Sequence, residues 1–327
     1  MQNVDVNNTF IKKQIEKKEI KQTGKRAGLA LFGNLLIMVL WGYFYLRVAS
    51  YFGISQRTAL LIQKEPAFSL FIQALVSLAM LLIPFLIFAR CELIKPSGVI
   101  SFNAPKKELI CPTVFAGVGF CLLSSTITGI AGQFFENMGI DAPTVDFDMP
   151  EGLIGFLISV VAIAVVPAFV EEFVMRGILM GALKKYGEAF AVIMSAFVFG
   201  IMHASYNQIP FAFLVGLAVG IAAIKTNSIW TAVIIHFCNN FISVVFSYLQ
   251  DILSTEWYLL ANSLLFIFIL LAASIGISIL SQKDKEFFKF NKTEHVSSTK
   301  DRIFWFLTAP TVILATVVSL LIATFLR

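Results

Sequence analysis

The sequence predicts an all-α protein, a polytopic transmembrane helical bundle of about eight to nine spans. Of its 327 residues, 58% are hydrophobic and 14% are charged, whereas an ordinary soluble domain has roughly 25% charged residues. Each of the long uncharged runs has the ~19 residues that a helix needs to cross roughly 30 Å of hydrocarbon. These runs are 27–46, 66–89, 109–135, 152–170, 226–250, 257–282 and 303–326. A soluble protein does not carry seven such runs.

One further uncharged run, 189–224, is too long for a single span. The polar stretch 205–208, followed by Pro210, divides it into two short helices of about 189–204 and 209–224. The predicted organisation is a basic tail (1–26), three N-terminal transmembrane helices (27–135), a core of four helices (150–250) and two C-terminal helices (257–327). We expect the two short helices to be buried among the others, since each is only about 24 Å long.

The distribution of Lys and Arg predicts the orientation of the bundle. With the N-terminus in the cytoplasm, the inside segments hold twenty of these residues and the outside segments hold four. The loop 136–151 is acidic instead, with Glu136, Asp141, Asp146, Asp148 and Glu151. The formal charge of +5 therefore reflects topology and gives no reason to expect a nucleic-acid partner. A chain rich in Lys and Asn and poor in Cys is typical of a bacterial protein, which places it in the plasma membrane.

An ionisable side chain inside a membrane span costs at least about 2.5–3.5 kcal/mol and usually faces a protein interior or a water-filled cavity. The segment 171–176 follows an uncharged run and continues into an apolar helix. Glu172 and Arg176 are four residues apart, a spacing that allows an ion pair. Glu171 points about 100° away from Glu172 and has no partner nearby in the sequence. A carboxylate in that position is suited to act as a general base.

Two of the three histidines, His203 and His236, also lie in apolar runs, and each has a notable residue four positions away. Phe199 and His203 are four apart, as are His236 and Asn240. Measured from the basic end of each helix, the depths are about 20 Å for Glu171, 22 Å for His203, 12 Å for His236 and 18 Å for Asn240. These similar depths predict that the four side chains converge on one interior cavity.

Each residue also has a purely structural interpretation. The Glu172–Arg176 pair can hold helices together, and Phe199, His203 and His236 can be packing residues. Asn240, like the span residues Asn34, Gln73 and Asn262, can bond helix to helix. Pro167 is expected to kink its helix. We expect His295 to be solvated and the cysteines to be small apolar residues rather than disulfide partners, and these are Cys91, Cys111, Cys121 and Cys238.

Together, the three pieces resemble the motifs of the CPBP family, the CAAX proteases and bacteriocin-processing enzymes also called the Abi family. The family motifs EExxxR, FxxxH and HxxxN are matched in order by Glu171-Glu172-x-x-x-Arg176, Phe199-x-x-x-His203 and His236-x-x-x-Asn240. The resemblance covers about 150–250 and does not include the three N-terminal or the two C-terminal spans.

The resemblance implies an intramembrane endopeptidase of the glutamic type, working without a metal cofactor. In that family Glu171 would activate a water with help from His203, and His236 with Asn240 would stabilise the oxyanion. Glu172 and Arg176 would orient the site. The substrate would be a peptide or a membrane protein, in contact with the lipid bilayer and cleaved near the cytoplasmic side.

Three alternatives remain open at this stage. The first is a zinc protease that uses Glu171, His203 and His236 as ligands. The second is a non-proteolytic scaffold or bacteriocin-immunity protein with an envelope-protein partner, which the family also includes. The third is a transporter or proton relay, although the sequence shows no paired broken helices in matching halves.

Overall fold

A computed structural model describes residues 2–94, 101–137, 149–291 and 294–325. The acidic side chains of Asp141, Asp146 and Asp148, and the cations of Lys95, Lys292 and Arg327, lie outside the described residues. Within them the chain is helical, and the helices follow the uncharged runs of the sequence. The helices are α1 (Gln2–Tyr51), α2 (Gln56–Lys64), α3 (Pro66–Cys91), α4 (Lys107–Asn137), α5 (Gly152–Tyr186), α6 (Glu188–Ile201), α7 (Gln208–Thr226), α8 (Ile229–Ile252), α9 (Thr255–Lys283), α10 (Thr299–Leu307) and α11 (Pro310–Phe325).

Among the described residues, seven helices are long and apolar enough to cross a membrane, and the pair α10–α11, bent by 66°, makes eight if it is one span. The remaining apolar helix is α6, which has only 14 residues and is buried along most of its length. The prediction of a polytopic helical membrane protein is therefore confirmed. The short α6 and α7 pack against each other, as their limited length required.

The helix α5 carries the first motif and is not regular. It contains a π-helical segment at Val160–Val165, an α-helical turn over Val166–Glu172 and a second π-helical segment at Phe173–Leu179. Pro167 lies at the junction after the first of these. Since proline has no N–H to donate to the carbonyl four residues earlier, the regular α-helical ladder cannot continue through it. The helical irregularity at Pro167 is thus a π-helical segment just before it, and the kink itself stays a prediction.

The described connecting segments gather at two ends of the bundle. The basic end is formed by the first part of α1 (9–26) and by the segments 92–94, 101–106, 184–188, 225–228, 284–291 and 294–298, which are joined by hydrogen bonds. The opposite end is formed by 52–65, 149–151, 202–207 and 253–254. Sharp connections use residues suited to them: Gly187, with φ of 106°, joins α5 to α6, and Asn227, with φ of 48°, ends α7 in the left-handed region that asparagine tolerates.

The basic end is packed, and one expectation about it is wrong. The predicted basic tail falls in the first half of α1, and Ile20 and Thr23 in it are buried. His295, expected to be solvated, lies between two acceptors: its Nδ1 is 3.2 Å from Glu16 Oε1 and its Nε2 is 2.9 Å from Lys185 O. Part of the basic end is therefore a packed interface, in which His295 joins Glu16 of α1 to the end of α5.

Candidate active site

A cavity of about 520 Å³ lies inside the bundle, and all four candidate catalytic side chains line it: Glu171, His203, His236 and Asn240. Glu171 lies on α5, His203 in the turn that follows α6, and His236 and Asn240 on α8. Phe199 also lines the cavity, whereas Glu172 and Arg176 lie behind it and are fully buried. The convergence predicted from helix depth is therefore present in the structure.

Glu172 and Arg176 form the ion pair that their spacing allowed. Arg176 Nη1 donates to Glu172 Oε1 at 3.2 Å, and Arg176 Nε lies 3.1 Å from Glu172 Oε2 without hydrogen-bond geometry. The guanidinium also donates to the carbonyl of Gly216 on α7 at 3.0 Å and lies 4.7 Å from the ring centre of Phe199. A buried charge needs such partners, and here they come from three helices.

The ion pair positions one histidine. His236 Nδ1 donates to Glu172 Oε1 at 2.8 Å, which fixes the ring and leaves Nε2 turned toward Glu171, at 3.8 Å from its Oε2. The two neighbouring glutamates therefore lie beside opposite nitrogens of one imidazole. Sequence reasoning gave Glu172 a partner in Arg176 but did not connect it to His236, because that contact links residues 64 positions apart.

Glu171 differs from Glu172 in its surroundings. Its side chain is 14% exposed and lines the cavity, and the 3.8 Å separation from His236 is longer than a hydrogen bond. Glu171 is therefore accessible to a water molecule in the cavity, whereas the carboxylate of Glu172 is occupied by the protein itself.

The other histidine is held by the last turn of α6, which it follows. His203 Nδ1 donates to the carbonyl of Phe199 at 2.7 Å. A carbonyl can only accept, so Nδ1 carries a hydrogen, and in the neutral form of the ring this leaves a lone pair on Nε2. The Phe199 ring packs edge-on against both His203 and His236, with centroid separations of 5.0 and 5.9 Å. Phe199 is thus a packing residue that sets the positions of both imidazoles.

Asn240 makes a contact that sequence reasoning missed. Its Nδ2 donates to the carbonyl of Ile163 at 3.0 Å. In a regular helix that carbonyl would accept from residue 167, which is proline and has no N–H. Asn240 therefore replaces the hydrogen bond that Pro167 cannot make. The sequence does contain a signal for the unpaired carbonyl, since Ile163 lies four residues before Pro167. It does not show which side chain would reach that carbonyl.

The metal alternative requires three ligands around one point. No group of three or more His, Cys, Asp or Glu side chains in the described parts of the chain is arranged to hold a metal ion. Glu171 and His236 approach each other, but His203 does not complete a ligand set with them. The four cysteines are free thiols, and only Cys121 among them is buried.

Comparison with known proteins identifies the same part of the chain as the cavity residues do. Residues 153–242 match the family model described as type II CAAX prenyl endopeptidase Rce1-like. That stretch contains all three motifs and ends just after Asn240. No curated protein and no solved structure matches the chain. Residues 153–242 therefore form an Rce1-like domain, consistent with an intramembrane protease of the CPBP family, in an integral membrane protein.

Proposed function

We propose that this protein is an intramembrane endopeptidase that hydrolyses a peptide bond of a peptide or membrane-protein substrate, with Glu171 as the general base. The observation that carries the proposal is the difference between the two glutamates. Glu172 is locked by Arg176 and His236, while Glu171 faces a cavity of about 520 Å³ and has no hydrogen bond to the protein among the described residues.

The proposed reaction begins with a water between Glu171 and His203. Glu171 takes a proton from the water, and the neutral His203 accepts the water's second hydrogen bond at Nε2. The resulting hydroxide attacks the substrate carbonyl carbon. The proton then passes to the leaving nitrogen as the C–N bond breaks, which yields a carboxylate and an amine.

The negative charge that develops on the substrate oxygen needs donors. When both ring nitrogens of His236 carry hydrogen, Nδ1–H stays on Glu172 and Nε2–H is free to donate into the cavity. Asn240 keeps one N–H after its bond to Ile163. We propose these two groups as the oxyanion donors, with Glu172 and Arg176 as positioning residues.

The test compares membrane proteomes of cells that carry the wild-type gene or Glu171→Gln. We expect an uncleaved precursor to accumulate only with the variant, and the purified wild-type protein to cleave that precursor. Glu256→Gln serves as the control, since Glu256 lies at an exposed position outside the cavity. A Glu171→Gln variant that still processes every precursor would contradict the proposal and favour a scaffold role.

We also propose that the basic end faces the cytoplasm and that the cavity opens toward the opposite end, which differs from the cleavage near the cytoplasmic side expected from the sequence. On α5, residues 174–180 are all buried, whereas those on the other side of Glu171 are mostly half-buried. On α8 the cavity lining continues from His236 to Ser247, about 16 Å toward the opposite end.

Thiol labelling checks this opening. In a variant without Cys111, Cys121 and Cys238, we expect an impermeant reagent to reach Ser247→Cys from outside the cell. The native, exposed Cys91 at the basic end should react only after the membrane is opened. Labelling of both positions from the same side would contradict the proposed opening.

A further inference from the structure

The cavity has a second wall that lies outside the Rce1-like domain. One wall comes from α5, α6, α7 and α8. The other comes from α1 and α3, through Met38, Gln73, Ser77, Met80 and Leu81. The helix α3 packs against α1 and against α5. The cavity therefore occupies the space between this N-terminal pair and the catalytic core.

Two polar residues of this second wall lie on one face of α3. Gln73 and Ser77 are four residues apart, in a helix whose most apolar window has a mean hydropathy of 2.5. Gln73 was expected to bond helix to helix, as Asn34 does by donating to the carbonyl of Met80 at 3.0 Å. Neither Gln73 nor Ser77 makes a side-chain hydrogen bond within the described part of the chain. Both line the cavity, so their donors and acceptors are available to what occupies it.

The facing wall on α8 carries a matching polar row. Asn239, Ser243 and Ser247 also line the cavity and are spaced by four residues each. The row begins beside the candidate catalytic residues: Asn239 is next to Asn240, and its Nδ2 donates to Asn240 Oδ1 at 3.0 Å. An extended polypeptide has N–H and C=O groups on both of its edges. The polar rows on α3 and α8 lie on facing walls, so they can bind the two edges of an extended segment.

The rest of the lining indicates what side chains such a segment carries. Glu171 is the only Asp, Glu, Lys or Arg among the lining residues described, so the cavity offers no partner for a charged side chain beyond the catalytic one. Four methionines line it, Met38, Met80, Met149 and Met202. Methionine adapts to apolar groups of varied shape, so this lining suits uncharged, apolar side chains of more than one size.

We propose that Gln73 and Ser77 bind the backbone of the substrate, and that the substrate segment is extended, uncharged and apolar. The helix α3 then forms half of the substrate groove, although it lies outside the matched domain. This inference rests on the proposed endopeptidase function.

The test uses purified protein in liposomes and a set of internally quenched peptides with uncharged apolar cores. The peptide that the wild type cleaves fastest is the probe. We expect Gln73→Met and Ser77→Ala each to raise KM about fivefold, the effect of one lost hydrogen bond of average net strength, with kcat within twofold of wild type. The matched controls Asn262→Leu and Ser69→Ala remove the same polar groups at exposed span positions outside the cavity and should leave KM unchanged.

Backbone recognition is checked by replacing single amides of the probe with esters. At one or two positions the ester should raise KM for the wild type but not for Gln73→Met, because the bond is already absent in that variant. Thermal unfolding of each variant shows that it is folded. KM values for Gln73→Met and Ser77→Ala equal to those of the controls would overturn this inference and leave the proposed function standing. Absence of any Glu171-dependent cleavage would overturn the proposed function and this inference with it.

Discussion

Substitution of Glu172 should mainly lower stability, whereas substitution of Glu171 should mainly lower activity. Glu172 has a fully buried side chain with contacts of 3.1 and 3.2 Å to Arg176 and 2.8 Å to His236. Removing one partner of a buried ion pair costs about 3–5 kcal/mol, since it leaves the other charge uncompensated. We therefore expect Glu172→Gln and Arg176→Met each to lower the free energy of unfolding by about 4 kcal/mol.

Glu171→Gln should behave in the opposite way. Its carboxylate is partly exposed, and its nearest charged partner, His236, is 3.8 Å away. We expect a change below about 1 kcal/mol in unfolding, because at 3.8 Å the ion pair is weak and Glu171 faces the cavity. Loss of a general base typically costs a factor of about 100 to 10,000 in rate, so cleavage should fall by at least about 100-fold.

Both quantities are measurable on the same preparations. Unfolding free energies come from steric trapping in bicelles, and rates come from cleavage of a quenched peptide. The double variant Glu172→Gln/Arg176→Met should recover part of the lost stability, because neither charge is then left alone. The reasoning fails if Glu171→Gln destabilises as much as Glu172→Gln, or if Arg176→Met unfolds at the wild-type free energy.

Three further predictions concern packing and positioning. A Cβ at Gly28 would lie 2.4 Å from the backbone of α11, whereas one at Gly42 on the same helix meets nothing within 4 Å. Thermal scans should therefore show Gly28→Ala destabilised by about 1–3 kcal/mol and Gly42→Ala as stable as wild type or slightly more stable, because alanine is the better helix former. Asn240→Ala should lower stability, and adding Pro167→Ala should restore it by returning a backbone N–H to the helix. If Asn240 is an oxyanion donor, cleavage by the double variant stays low; restored cleavage would show that Asn240 is purely structural. His295→Leu, which removes both hydrogen bonds at the basic end, should lower the unfolding free energy by about 1–3 kcal/mol, and an unchanged value would contradict its bridging role.

The sequence was sufficient for features that depend on one helix at a time. Uncharged run length predicted most of the spans, although the run 303–326 is divided into α10 and α11 by a bend of 66°. Four-residue spacing predicted the Glu172–Arg176 pair. Rise per residue placed Glu171 and His203 at one depth, and both line the same cavity. These inferences need only helix geometry, which is the same in every membrane bundle.

Features that depend on how helices pack were not predictable in the same way. The bond from His236 to Glu172 and the docking of α1 at the basic end join residues far apart in the chain. Gln73 was misassigned for the same reason, because an amide in a span has the same sequence signal whether it bonds to a neighbouring helix or faces a cavity. Only the arrangement of α3 beside α5 distinguishes the two.

The site thus divides along the boundary of the matched domain. The contacts that position the proposed catalytic groups, from Arg176 to Glu172 to His236 and from Asn240 to Ile163, all lie within 153–242. The second wall, with Gln73 and Ser77, lies entirely outside it. A chain that shares the domain can therefore keep the hydrolytic geometry while a different α3 changes which segment fits. Exchange of α3 between two such proteins should transfer peptide preference, measured as KM, and leave the dependence on Glu171 intact.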